Sequence, residues 1–220
     1  MIVVAIDGPA GSGKSSVSRA VAAQLGFGFL DTGAAYRALT WLALEKDIDL
    51  SDGFSVADLL ESFPYVISLD PNHESVVVGD VDVTAKIRDP RISLAVSAVA
   101  QNPRVREWMK NSARELAMHS GFPGVVAEGR DMTTVVFPDA STRILLTARE
   151  EVRIERRAGE VAGRNLAETT ASVRERDAKD SNVVDFFTAA PGVTVVDSSD
   201  INFSDTVSAI VDIVRAGSDQ

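Results

Sequence analysis

One turn near the start of this chain narrows the folds open to it. Five apolar residues, Ile2-Val3-Val4-Ala5-Ile6, run into Asp7 and then into Gly8-Pro9-Ala10-Gly11-Ser12-Gly13-Lys14-Ser15. The octapeptide fits G-x-x-x-x-G-K-S/T, the phosphate-binding loop, and it lies where that motif has to lie, between a strand and a helix. Glycines let consecutive backbone N–H groups turn inward around phosphate oxygens. The helix that follows adds partial positive charge at the same spot. Lys14 can reach the β and γ phosphates, and the Ser15 hydroxyl suits a Mg²⁺ position. The turn implies a parallel α/β fold that binds a nucleoside triphosphate.

Downstream, short apolar runs alternate with helical patterns, the signature of βαβ units. A helix is expected over 15–25 with Gly26 closing it, then a strand Phe27-Gly28-Phe29-Leu30 ending at Asp31-Thr32-Gly33. A helix over about 34–46 follows. Later strands read as Val125-Val126-Ala127-Glu128, Arg143-Ile144-Leu145-Leu146 and Val193-Thr194-Val195-Val196. The last helix spans about 204–215, with Ser204 as its cap. Five buried parallel strands separated by helices make a three-layer α/β/α sandwich, in which ligands gather beyond the carboxyl ends of the strands. Residues 64–89 break the rhythm. They are rich in valine, with turn signals at Asp70-Pro71-Asn72 and Gly79-Asp80, and are expected to form a small antiparallel β insertion in a core made of 1–63 and 90–220.

Composition narrows the function. A net charge of −10 argues against a general binder of nucleic acid or of membrane surfaces. The absence of cysteine excludes disulfides, thiolate metal sites and cysteine nucleophiles. His73, in a turn, and His119, near a helix end, lack metal-ligand partners at motif spacing and read as surface residues. The first apolar run reads as a strand rather than a signal peptide, and no segment approaches the ~20 apolar residues that cross a bilayer, so a cytoplasmic location is expected. Arginine outnumbers lysine 17 to 5, a bias toward the planar fork that grips phosphate with two hydrogen bonds.

Phosphoryl chemistry asks for positioning and charge neutralisation, so cations are needed around an acceptor as well as around the donor. Thr32 either caps the helix or touches ligand, and Arg37, one turn on, either pairs locally or points to the same mouth. Arg130 and Asp131 leave a buried strand together, which is costly unless they meet a ligand or each other. Arg153, Arg156 and Arg157 share one helix face, with Glu151 and Glu155 near enough to neutralise part of it. That helix starts after a strand end near the phosphates, which favours a ligand-facing role over a solvated face. Gly159 and Gly163 flank a charged stretch, with Arg164 and Arg174 beyond, that is expected to move as a lid over about 153–175.

From about residue 2 to residue 215 the chain resembles the bacterial cytidylate kinase family of the nucleoside monophosphate kinase group. The likeness rests on Asp7-Gly8-Pro9 with the loop, Leu30-Asp31-Thr32-Gly33-Ala34-Ala35-Tyr36-Arg37, Asn102-Pro103-Arg104-Val105-Arg106-Glu107, the run Gly129 to Ala140, and Glu175-Arg176-Asp177 with Asp180-Ser181. The resemblance implies that Gly8 to Ser16 and Arg157 bind ATP, with Lys14, Arg37, Arg130, Arg153 and Arg157 serving catalysis. It implies that Ser97, Arg106 and Asp131 read the cytosine edge and that Arg37 and Arg130 clamp the acceptor phosphate. Thr32, Arg176 and Asp180 would hold the sugar and adjoining phosphate, and Arg153 and Arg157 would be lid arginines over ATP. Ser15 would carry Mg²⁺ through the phosphates. Thr32 stands where many members have Ser, and Val183 where the family often has a basic residue.

The activity this implies is reversible transfer of the γ-phosphoryl group of ATP to CMP or dCMP, by a monomer that engages neither nucleic acid nor membrane. The residues by themselves leave other readings open. These are a kinase for UMP, AMP or shikimate, an ATPase switch, or a nucleotide-binding protein without catalysis. An acceptor that is already a phosphate monoester is mostly ionised at pH 7, with a second pKa near ~6, and needs no general base. A hydroxyl acceptor would need one, and only Asp31 or Asp131 is placed for it.

Overall fold

A computed structural model describes residues 1–160 and 166–218. Gly163 and Arg164, expected in the lid, lie outside the described residues. Strands β1 (Ile2–Asp7), β2 (Gly28–Asp31), β6 (Gly124–Gly129), β7 (Thr142–Thr147) and β8 (Thr194–Asp197) form one parallel sheet in the order β2-β6-β1-β7-β8. Strands β3 (Tyr65–Ile67), β4 (Val76–Val78) and β5 (Val81–Asp82) form a separate antiparallel sheet within the segment expected to be inserted.

The two-residue period of the strands sorts the core into two layers. Val4 and Ile6 of β1, Val126 of β6 and Ile144 and Leu146 of β7 pack on α1 (Lys14–Leu25) and α8 (Phe203–Ser218). Ala5, Val125 and Ala127 face the other way, toward α2 (Thr32–Glu45), α4 (Pro90–Ala100), α5 (Pro103–Met118) and the small sheet. Each fully buried aliphatic side chain contributes about 1.5–3 kcal/mol, so the alternation fixes which side of the sheet each helix covers. No helix among the described residues is long and apolar enough to cross a membrane.

Helix ends follow local chemistry. Gly26 adopts φ +67° and returns its N–H to the last turn of α1. Asp31, Asp89 and Asn102 cap α2, α4 and α5 with side-chain acceptors, and Pro90 and Pro103 occupy first-turn positions where no N–H is needed. The last helix departs from expectation. Asn202, not Ser204, receives the N–H of Asp205 at 2.9 Å, because α8 begins at Phe203 and leaves Ser204 inside its first turn.

Candidate active site

The carboxyl ends of β1, β2 and β6 open into one cavity of about 450 Å³. Its floor is the glycine-rich turn. A Cβ at Gly8 would collide with the Leu146 carbonyl of β7, and Gly11, at φ +75°, presses against the Arg153 carbonyl. Only glycine allows that approach, and it fixes the loop against its surroundings.

Asp177 of α7 (Leu166–Ser181) holds the loop from behind. Its Oδ1 accepts the Ala10 N–H at 2.9 Å, and its Oδ2 accepts Arg153 at 2.5 Å. Arg153, on α6 (Glu150–Glu160), also donates to the Ala10 carbonyl at 2.8 Å. Arg153 is therefore buried beneath the loop and is not among the residues lining the cavity, whereas Arg157, one turn on, is. Its charge is answered by Asp177 across the fold. Arg156 turns to the Ser198 carbonyl at 2.7 Å and to Ser12.

On the opposite wall the cations come from several elements. Arg37 of α2 donates to Asp31 at 3.2 Å, and Asp31 also takes Arg88 at 3.0 Å and the Ala34 N–H at 2.8 Å. Burial opposes the Asp31 charge, but Arg37 and Arg88 hold its carboxyl well below the ordinary range. Arg130, just past β6, donates to Asp180 at 3.1 Å and to the Gly8 carbonyl. Asp131 does not meet Arg130. It accepts Arg106 of α5 at 2.7 Å. Ser97 of α4 donates to Asp180 at 2.9 Å, and Arg176 of α7 lies 3.7 Å from the same carboxylate. Thr32 does not cap α2. Its hydroxyl donates to the Glu128 carbonyl at 2.8 Å.

Among the described residues, nine basic and five acidic side chains line this cavity, in a chain whose net charge is −10. Burial first, and then the neighbouring cations, work against the charge of some of its members. Burial, then the charge of Arg130, pushes the Lys14 ammonium down to about 7. Burial, then Arg130 and Arg37, lowers Arg176 to about 10. Cations crowded in this way gain most from a polyanion arriving among them.

Thr32, Arg37, Ser97, Arg106, Arg130, Asp131, Arg176 and Asp180, together with Ala10, Gly11, Gly13, Lys14, Ser15 and Ser16, all line the one cavity. Gly8, Pro9 and Ser12 shape the loop and stand outside the lining. His73 and His119 are exposed, as expected. Sequence reasoning missed Glu128. It is the penultimate residue of β6, buried, accepts the Ser15 hydroxyl at 2.6 Å and lies 4.0 Å from Lys14. The signal was there, since an acid closing a buried strand beside the loop is as costly as the Arg130-Asp131 pair that follows it. It also missed Arg88 and Glu74, which pair with each other at the rim.

A family model described as cytidylate kinase matches residues 4–216. A cytidylate kinase from Streptomyces avermitilis is 40% identical over 215 residues, 97% of this chain and 93% of that protein. One from Cutibacterium acnes is 42% identical over 218 residues, covering 97% and 96%. The crystal structure of shikimate kinase from Bacteroides thetaiotaomicron superposes with a TM-score of 0.50 at 12% identity, over 97% of this chain and 98% of that one, a likeness of fold. The loop, the paired arginines beyond β2 and β6 and this end-to-end similarity lead to one conclusion: the chain belongs to the cytidylate kinase family.

Proposed function

We propose that the chain catalyses reversible transfer of the γ-phosphoryl group of ATP to CMP or dCMP, giving ADP and CDP or dCDP. The observation that carries this reading is the meeting of the phosphate-binding loop with Arg37, Arg130 and Arg176 in a single cavity. Backbone amides and Lys14 grip the donor; guanidinium groups grip the acceptor phosphate. An acceptor oxygen then forms its bond to the γ phosphorus as the bond to the β–γ bridging oxygen breaks.

No side chain has to take a proton in this reaction. The acceptor monoester is mostly ionised at pH 7. Asp31, held low by two arginines, would be a poor base, and Asp131 is tied to Arg106. The first observation favours a phosphate acceptor over an alcohol. The Asp131–Arg106 pair supplies an acceptor beside donors, which matches the amine of cytosine alongside its ring nitrogen and carbonyl. Uracil would set a carbonyl against the carboxylate, leaving buried groups unpaired. Ser97 joins this pair in reading the base, Thr32, Arg176 and Asp180 are left to hold the sugar and adjoining phosphate, and Arg157 to lean over ATP.

Ser15 and Glu128 offer a hydroxyl and a carboxylate 2.6 Å apart, hard oxygen donors that fit Mg²⁺ carried on the phosphates. When bound, the ion neutralises charge on the β and γ oxygens.

A coupled ADP-release assay with ATP fixed tests the reading across CMP, dCMP, UMP, AMP and GMP. Turnover is expected with CMP and dCMP, with UMP at least about 10²-fold poorer in kcat/KM. ATP consumption is expected to be nearly silent without an acceptor. Rapid hydrolysis without acceptor, or preference for UMP or AMP, overturns it.

A further inference from the structure

Beyond α7 the chain makes a short turn in which the Asp185 carboxylate accepts the N–H of Phe187 at 2.9 Å and of Thr188 at 3.0 Å. The turn sends Phe186 inward. It is 1% exposed, yet it belongs to neither of the two core layers that flank the sheet. What it covers is Arg130, whose guanidinium carbon lies 4.5 Å from the ring centroid. Phe187 packs beside it, rings 4.7 Å apart, and is half exposed.

Consider what holds Arg130 in place. Asp180 and the Gly8 carbonyl take hydrogen bonds from the edge of its guanidinium, Asp177 lies 3.6 Å from it, and Phe186 stacks beneath it. Two carboxylates already face the group, and a third in place of the ring would over-neutralise the charge that a phosphate needs to meet. An aromatic ring attracts a cation through its quadrupole and adds no net negative charge. Among the described residues its ring stacks on Arg130 and on Phe187 and joins none of the buried apolar clusters.

We infer that Phe186 is a positioning residue for phosphoryl transfer, a neutral floor that fixes the Arg130 guanidinium toward the acceptor phosphate while leaving its charge intact. The inference rests on the reading of Arg130 as the acceptor-phosphate clamp.

The experiment measures kcat and both KM values with ATP and CMP for Phe186→Leu, Phe186→Tyr, Arg130→Ala and the double variant Phe186→Leu/Arg130→Ala, each with its melting curve. Phe186→Leu is expected to lose about thirty-fold in kcat, the rate equivalent of one desolvated cation–π contact, with KM for ATP within about two-fold of the unsubstituted protein. Phe186→Tyr, which keeps the ring, restores kcat to within about two-fold. Once Arg130 is gone, Phe186→Leu costs nothing further. If the Leu variant does not fold, Phe186→Met, which keeps the volume without a ring, carries the same comparison. Equal losses for Leu and Tyr, or the same loss with and without Arg130, reduce Phe186 to packing and overturn the inference. Failure of the underlying reading is separately visible: the unsubstituted protein would not turn over CMP, or Arg130→Ala would match it.

Discussion

Arg130→Ala is expected to lower turnover of CMP by about 10²–10³-fold, the scale of losing one preorganised donor aimed at developing charge. The size follows from how the residue is held. Its side chain is partly buried and held by Asp180, the Gly8 carbonyl and the Phe186 ring, so its position is set before any ligand arrives. It bridges the donor loop and the acceptor wall, and alanine removes both contacts at once. Asp180 keeps Ser97 at 2.9 Å and Arg176 at 3.7 Å, so the wall itself should survive. Arg130→Lys would not restore the rate, because an ammonium is a single point of charge and cannot reproduce the fork. Steady-state kinetics with CMP, read beside a melting curve, checks this; near-unsubstituted turnover in the alanine variant would contradict it.

Asp177→Ala should act first on stability. Its carboxylate is the shared partner of the Ala10 N–H and Arg153, and Arg130 approaches it to 3.6 Å. Removing it strands a buried guanidinium and a loop amide together. Breaking a buried pair on one side costs about 3–5 kcal/mol. In a chain of this size that lowers the melting temperature by on the order of 10 °C. Thermal unfolding by circular dichroism measures it directly. A shift within ~2 °C would mean that the loop needs no prop from α7. Asp177→Asn, which keeps an acceptor at the same place, should fall between.

The glycine-rich turn could be read from sequence because everything it needs is local. Glycine spacing, Lys14 and Ser15 lie within eight residues, and their geometry is dictated by the strand before and the helix after. Gly26, Pro103 and the alternation of strands and helices were legible for the same reason. The Ser204 cap failed on a shift of two residues, which hydrophobic periodicity does not resolve. The arginines of α6 show a deeper limit. Helical spacing places Arg153 and Arg157 on one side of the helix, but it cannot say that one turn of that side lies under the loop and the next at the cavity. Arg153 depends on Asp177, 24 residues away, and Phe186 on Arg130, 56 residues before it. Contacts of that kind are set by how the layers stack, and no short motif carries them. Glu128 was hidden differently, since its strand was read for burial alone and its charge passed over.

In the proposed reaction two phosphate groups meet end to end in one basic cavity, backbone amides holding the first and guanidinium groups the second. A crystal structure of the complex with CMP tests it most directly. The CMP phosphate is expected within hydrogen-bond distance of Arg37 and Arg130, with the base against Arg106 and Asp131. A CMP molecule seated anywhere else, with those four side chains left unengaged, would contradict it.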